Sequence, residues 1–172
     1  MNKILALLAI VPVSLGSGTH GTCFNPNKFK QLNVQEKCLA TTIYGEARGE
    51  SLQGMVAVAY TVINRAVNRT ICAVVLAKKQ YSIYNNNAAY VQAATNATIE
   101  PPQKNIIDKR SWEQSIKAAR LVINNEVTDP TKGSTNYIAP MVMRQKHYHI
   151  PKWAKEFKLV AIIDNHRFYK KI

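Results

Sequence analysis

Acidic residues are scarce in this chain, and two of them stand close together in a segment that could do chemistry. The sequence has 10 Asp and Glu against 23 Lys and Arg in 172 residues. Glu46 and Glu50 lie in residues 44–50, and no further acid follows until Glu100. A partly buried carboxyl group keeps its proton to higher pH, as the general acid of glycosidic cleavage must. The same residues would also suit a solvated helix end, with Glu50 as a surface charge.

Two helices are predicted to hold this segment. Leu39, Ile43 and Ala47 recur at helical spacing and turn one side of the first helix inward, which leaves Glu46 at the rim of a groove. Glycine next to Glu46 gives a bulky ligand room to approach the backbone. Ser51 suits the N-cap of a second helix, which we expect to end near Asn68.

The rest of the chain indicates a third long helix and a hairpin. Residues 71–78 predict a short turn or helix, and residues 81–105 predict a long polar connection that carries tyrosines, as binding loops do. Ser111 and Gln114 have the spacing of a capping box, so a helix is predicted from Trp112 to about Asn125. Its expected buried residues are Trp112, Ile116, Ala119 and Ile123.

A turn is predicted at residues 129–133, and a β-hairpin at residues 159–169 around Asp164-Asn165. The predicted fold class is mainly α (α+β), a helical domain with a small C-terminal β-hairpin.

The N-terminus has the layout of an export signal. Residues 1–18 combine a basic start, a short apolar run and small residues, which predicts a signal peptide or a releasable membrane segment. Residues 19–35 are expected to form a polar arm, and residues 36–172 the catalytic domain. We therefore expect export to the periplasm or secretion.

Cysteine usage fits an oxidising compartment. Cys38 and Cys72 each lie at the edge of an apolar segment and are predicted to form a disulfide, which leaves Cys23 over. The alternative is three buried thiols in a reduced protein. No Cys-x-x-Cys spacing occurs, and His147 with His149 has no partner pattern, so no metal is predicted.

The formal net charge of +13 favours a polyanionic partner. Residues 140–172 hold eight Lys and Arg against two acids. An alternative to an enzyme is therefore a cationic protein that binds a bacterial cell wall or a membrane without catalysis. Such a protein would act on an anionic outer-membrane surface. No motif for nucleic acid, a nucleophilic serine or a phosphate loop is present, so neither nucleic acid nor a cofactor is expected.

Several ordered motifs resemble the SleB-type cell-wall hydrolase family, which comprises spore-cortex-lytic enzymes and phage endolysins. The similarity runs from about Cys38 to Tyr169. The motifs that carry it are Leu39-Ala40-x-x-Ile43-Tyr44-Gly45-Glu46-Ala47-Arg48-Gly49-Glu50, Gly54-Met55-Val56-Ala57-Val58-Ala59, Val62-Ile63-Asn64-Arg65, Thr70-Ile71-Cys72-Ala73-Val74-Val75, Gln80-Tyr81-Ser82, Thr135-Asn136-Tyr137 and Asn165-His166-Arg167-Phe168-Tyr169.

The resemblance implies a lysozyme-like, lytic-transglycosylase-like domain that acts on peptidoglycan. We expect the protein to be a monomer. By position, Glu46 would be the catalytic acid and base. It would protonate the oxygen of the β-1,4 bond between MurNAc and GlcNAc, then take the proton of the MurNAc C6 hydroxyl, leaving a 1,6-anhydro end. The positions expected to bind substrate are Tyr44, Gln80, Tyr81, Ser82, Asn136, Tyr137, His166 and Tyr169.

Two points remain open at this level. On a continuous helix Glu50 would lie one turn from Glu46, so it could act as a second acid in a hydrolytic muramidase. A structural role for Glu50, paired with a cation, is favoured, because the two carboxyl groups of such enzymes must flank the bond. The chain also departs from the family at Asp164, where Gly is common, and at residues 160–163, where relatives often carry Thr near the catalytic acid. This chain has no Thr there to orient the acid.

Overall fold

The computed structural model describes residues 31–85 and 87–172. The predicted export signal, Cys23 and most of the predicted polar arm lie outside the described residues. The helices are α1 (Val34–Ala47), α2 (Leu52–Arg65), α3 (Ile71–Val75), α4 (Ala88–Thr95), α5 (Ile106–Ile123), α6 (Pro140–Gln145) and α7 (Trp153–Glu156). The strands are β1 (Asn136–Ile138), β2 (Lys158–Ile163) and β3 (His166–Lys170).

Helix α1 is the centre of the fold, and it begins earlier than its apolar pattern predicts. The side chain of Asn33 accepts hydrogen bonds from the backbone amides of Gln35 and Glu36, and the Glu36 carboxylate accepts one from the Asn33 amide. This capping box starts the helix at Val34, two residues before the predicted start of the domain. Helix α1 packs against α2, α3, α4 and α5, so it is buried on most sides along its length.

The predicted second helix is confirmed. Ser51 caps α2 by accepting a hydrogen bond from the Gly54 amide. The helix ends at Arg65, three residues before the expected position. A short helix is also confirmed in residues 71–78, at α3.

The prediction of an unstructured polar connection over residues 81–105 is wrong in part. A 3-10 turn spans Ser82–Tyr84, and α4 spans Ala88–Thr95. Helix α4 has no strong apolar pattern in the sequence, because its buried residues are the small side chains of Ala93 and Ala94. Alanine also has the highest intrinsic helix propensity, which offsets the weak apolar pattern.

The predicted start of α5 at Trp112, with Ser111 as its cap, is wrong. Asn105 caps the helix through the amides of Ile107 and Asp108, so α5 begins at Ile106. Ser111 lies inside the helix, where its hydroxyl donates to the carbonyl of Arg48. The predicted core residues Trp112, Ile116 and Ala119 are buried, and Ile123 is partly buried.

The predicted hairpin is confirmed as β2 and β3, and a third strand completes the sheet. The order is β1-β3-β2, and both pairs are antiparallel. Tyr137 of β1 pairs with Phe168 of β3, and a bulge between Leu159 and Ala161 interrupts the register of β2. The fold is therefore mainly helical with a small sheet, as predicted, and the sheet has three strands.

The predicted disulfide joins Cys38 and Cys72 in the structure. It ties α1 to α3, and its Cys38 end lies two helical turns before Glu46. Within the described ranges, no helix has the length and apolar character needed to cross a bilayer.

Candidate active site

Glu46 lies in the last turn of α1, where two other parts of the chain reach its carboxyl group. The Ser82 hydroxyl donates a hydrogen bond to Glu46 Oε1 at 3.3 Å. The Tyr137 hydroxyl donates one to Glu46 Oε2 at 3.1 Å. Helix α1, the 3-10 turn and strand β1 thus converge on one carboxyl group.

Gly45 allows the 3-10 turn to approach this closely. A Cβ atom on Gly45 would lie 2.5 Å from two carbon atoms of the Ile83 side chain. The room that was expected to admit a ligand is therefore occupied by the protein itself. This packing brings Ser82 and Ile83 alongside Glu46.

Burial raises the pKa of Glu46 above its ordinary value. Hydrogen bonds from Tyr137 and Ser82, together with the backbone amides of Ser82 and Ile83, lower the pKa and offset part of that effect. These partners are all uncharged, so they orient the carboxyl group without adding a positive charge beside it. A carboxyl group in this setting can deliver a proton at a pH where an exposed glutamate is ionised.

Tyr137 is held as a hydrogen-bond donor. Its ring packs edge-on against the His166 ring at 5.1 Å and tilts against Phe168 at 5.9 Å. Burial and the neighbouring Glu46 raise the pKa of the Tyr137 phenol well above its ordinary value. Tyr137 therefore keeps its proton and donates a hydrogen bond to the carboxyl group of Glu46.

Arg65, at the end of α2, organises the segment that carries Ser82. Its Nη1 donates to Gln80 Oε1 at 3.3 Å and to the Tyr81 hydroxyl at 3.2 Å, and its guanidinium lies 5.6 Å from the centre of the Tyr81 ring. Its Nε donates to the carbonyl of Thr135, which immediately precedes β1. Arg65 thus links both segments that reach Glu46. The Asn-Arg motif at the end of α2 was its only sequence signal, and no role could be assigned from it.

Glu50 lies in surroundings that differ from those of Glu46. Its Oε2 accepts from the Asn165 amide at 3.1 Å, and both of its oxygens accept from Asn165 Nδ2, at 3.2 and 3.3 Å. His166 Nδ1 lies 3.8 Å from Glu50 Oε1. Burial lowers the pKa of His166, although the carboxylates of Glu50 and Asp164 act in the opposite direction. The expected pairing of Glu50 with a cation is therefore replaced by amide donors beside a histidine of lowered pKa.

Tyr44 does not line the site. Its side chain is fully buried, its hydroxyl donates to the carbonyl of Pro102, and its ring packs edge-on against Trp112 at 5.9 Å. The predicted contact with substrate is not supported, because Tyr44 exposes no surface. Unlike Glu46 in the same motif, Tyr44 faces the core.

The other predicted binding residues divide by exposure. Tyr81, His166 and Tyr169 are buried, and Tyr169 packs edge-on against Trp153 at 5.6 Å. Gln80 and Ser82 are exposed, and Asn136 and Tyr137 are partly exposed. The structure thus brings Ser82 and Tyr137 to Glu46, with Gln80 and Tyr81 held behind them by Arg65. The remaining positions stay predictions.

No group of three or more metal-ligating side chains occurs among residues 31–85 and 87–172. His147 and His149 are both exposed in the connection between α6 and α7.

The comparisons with known proteins agree with this fold. The Cell Wall Hydrolase family matches residues 49–169. Among solved structures, the chain is similar to the catalytic domain of the germination-specific lytic transglycosylase SleB from Bacillus anthracis, with 25% identity and a TM-score of 0.57 over 85% of this chain and 100% of that one.

The chain is also similar to the catalytic domain of SleB from Bacillus cereus, with 22% identity and a TM-score of 0.52 over 84% of this chain and 94% of that one. No curated protein sequence matches the chain in the corresponding search.

The family match begins three residues after Glu46, so the assignment of that residue depends on the geometry described above. The match nevertheless includes Glu50, Ser82, Tyr137 and the hairpin, and it spans well over half of the chain. The chain belongs to the Cell Wall Hydrolase family.

Proposed function

We propose that this protein cleaves the glycan strands of peptidoglycan at the β-1,4 bond between MurNAc and GlcNAc, with Glu46 as general acid. The observation that carries the proposal is the setting of Glu46, a partly buried carboxyl group of raised pKa oriented by two hydroxyl groups. Membership of a cell-wall hydrolase family supports the substrate class.

We further propose that the reaction is a lytic transglycosylation. Glu46 protonates the bridging oxygen as the bond to C1 of MurNAc breaks, and positive charge develops at C1. The Glu46 carboxylate then takes the proton of the C6 hydroxyl on the same sugar, and that oxygen bonds to C1. The likeness to a catalytic domain described as a lytic transglycosylase supports this route.

The surroundings of Glu50 argue against a two-carboxylate hydrolysis. A second catalytic carboxylate must be free to activate water or to attack C1. Both oxygens of Glu50 already accept hydrogen bonds from Asn165, and its side chain is only 10% exposed. One acid is therefore the simpler assignment.

The Cys38–Cys72 disulfide supports an exported site of action, because disulfides persist in oxidising compartments. On this basis the protein meets the cell wall from outside the cytoplasm, as an endolysin of a phage would. The positive charge of the protein then strengthens its binding to the anionic cell wall, and Glu46 carries out the catalysis.

Mass spectrometry of digested peptidoglycan tests the reaction type. The expected products carry 1,6-anhydro-MurNAc ends, which lack one water relative to reducing ends. A digest with only reducing MurNAc ends would overturn transglycosylation, and peptide-bond products would overturn glycan cleavage.

The Glu46→Gln variant tests the catalytic residue. Loss of the general acid should reduce the rate of glycan cleavage by about 10²–10⁴-fold while wall binding survives. Glu156→Gln is the matched control, since Glu156 is exposed on α7. If positive charge alone causes lysis, Glu46→Gln will keep full lytic activity. Raised salt will then abolish lysis by both Glu46→Gln and Glu156→Gln.

A further inference from the structure

Two carboxylates hold the turn between β2 and β3 to the start of α2. One belongs to the segment before α2 and accepts from the turn, and the other belongs to the turn and accepts from the N-cap of α2. Glu50 accepts from the backbone amide and the side-chain amide of Asn165. Asp164 Oδ2 accepts from the Ser51 amide at 2.9 Å and from the Ser51 hydroxyl at 2.6 Å. Each partner thus supplies one carboxylate and one set of donors. We call these four residues, Glu50, Ser51, Asp164 and Asn165, the hairpin clamp.

The clamp leaves no spare room on the α2 side. A Cβ atom on Gly54 would lie 2.3 Å from Asp164 Oδ2 and 2.9 Å from Glu50 Cβ. Asp164 itself has φ of 49°, a left-handed conformation in which Asp is one of the tolerated residues. The two bonds to Ser51 offset the cost of that conformation.

The clamp connects directly to the partner of Glu46. Strand β3 starts at His166, the residue after the clamp, and pairs with β1 at Phe168 and Tyr137. The ring of His166 lies edge-on to the Tyr137 ring at 5.1 Å, and the Tyr137 hydroxyl reaches Glu46 Oε2 at 3.1 Å. A displacement of the turn would therefore move the group that orients the acid.

We propose that Glu50 is a positioning residue, which fixes the hairpin turn through Asn165 so that Tyr137 stays bonded to the carboxyl group of Glu46. This inference depends on the proposed function of Glu46. It assigns to Glu50 an effect on catalysis that passes through Asn165, β3 and Tyr137, with no contact to substrate.

The positioning role and a second catalytic carboxylate predict different responses to the Glu50→Gln and Glu50→Ala variants. A glutamine retains an oxygen that accepts from the Asn165 amide, so Glu50→Gln should keep the cleavage rate within about threefold, as for an interaction that loses charge but keeps its geometry. Glu50→Ala removes the acceptor and should lower kcat by about tenfold or more, because small displacements at a reacting centre are costly. A second catalytic carboxylate would be lost equally in both variants.

The pH profile separates positioning from a purely structural role. The Tyr137 hydrogen bond lowers the pKa of Glu46, so loosening it raises that pKa further. The alkaline limb of kcat should therefore move to higher pH in Glu50→Ala and stay in place in Glu50→Gln. An unmoved limb in a folded Glu50→Ala protein would overturn the inference.

Asn165→Ala keeps the test open if Glu50→Ala does not fold. It removes only the Nδ2 donor and leaves the backbone bond to Glu50, so the same limb should move in the same direction by a smaller amount. An unmoved limb in Asn165→Ala would likewise overturn the inference. If Glu46→Gln retains full activity, the proposed function fails; if Glu46→Gln is inactive but the limb does not move, only the role of Glu50 fails.

Discussion

The two carboxylates near the end of α1 are four residues apart, yet they face opposite kinds of surroundings. Glu46 receives hydrogen bonds from the hydroxyl groups of Ser82 and Tyr137 as well as from the backbone amides of Ser82 and Ile83, and burial raises its pKa. Glu50 receives them from the backbone and side-chain amides of Asn165. The comparison teaches that closeness along the chain does not decide the role of a carboxylate; the segments packed against it do. Glu46 lies in the last turn of α1, whereas Glu50 follows the end of that helix.

The partners on each side match the two roles. A hydroxyl group can donate to an ionised carboxylate or accept from a protonated one, so the contacts of Glu46 suit a group that cycles between the two states. Asn165 contacts Glu50 through amide N–H groups, which can donate a hydrogen bond but cannot accept one. The surroundings of Glu46 therefore suit proton transfer, and those of Glu50 suit attachment of the hairpin turn to the start of α2.

Loss of the disulfide should have the largest effect on stability and should not distinguish the two carboxylates. The Cys38→Ser, Cys72→Ser double variant should lose about 2–4 kcal/mol of the free energy of unfolding, because the unfolded chain gains freedom. Denaturant titration measures this loss, with Cys23→Ser as the control. We expect the pH dependence of kcat to be unchanged in the double variant. A shift would contradict the view that the Cys38–Cys72 bond only anchors α1 to α3.

Gly54→Ala should disturb the Glu50 side alone. The added methyl group meets the Asp164 carboxylate and should cost about 1–3 kcal/mol, as overpacking does. Gly49→Ala is the matched control: no heavy atom lies within 4 Å of its Cβ, so it should be neutral or slightly stabilising. Thermal unfolding of both variants checks this, and equal losses would show that the hairpin clamp is not tight.

Glu46→Gln should show how much the burial of an ionised Glu46 lowers the free energy of unfolding. Because the folded pKa of Glu46 is raised above its ordinary value of 4.5, the contribution of this group to stability is full below that pH and is lost as pH rises through the raised pKa. The free energy of unfolding of the wild type, minus that of the variant, should therefore fall between acid and neutral pH. A difference that rises with pH would mean that Glu46 is favoured as a carboxylate.

Tyr137→Phe should produce a smaller and more specific change. Removal of its hydrogen bond raises the pKa of Glu46 further, so the alkaline limb of kcat should move to higher pH. Ser82→Ala should act in the same direction but less, because its bond is longer and the Ser82 side chain is exposed. A limb that moves to lower pH in Tyr137→Phe would contradict the assigned donor.

Several elements could be predicted from the sequence because their causes are local. Ser51 capped α2 as its position indicated, and Asp164-Asn165 formed the turn of the hairpin. The pairing of Cys38 with Cys72 also followed from the apolar segments on which they lie. Helix α4 was missed because its burial rests on alanines, which give little periodic signal.

The sequence motifs named candidate site residues but gave no arrangement for them. The structure brings Glu46, Ser82 and Tyr137 into contact, whereas Tyr44, which the sequence also selected, packs in the core. No pattern assigned a role to Arg65, because its contacts join residues 15 and 70 positions away. Contacts of that separation have no local periodicity to reveal them.

The sequence by itself determined a mainly helical domain, a scarce pair of acids at the end of its central helix, and the turn that follows β2. Only the tertiary structure decided that the hydroxyl groups of Ser82 and Tyr137 reach Glu46, whereas Glu50 is held by the amides of Asn165. The physical reason is that the pKa and the role of a carboxyl group depend on the desolvation and donors around it, and here those donors come from segments 36 to 115 residues further along the chain.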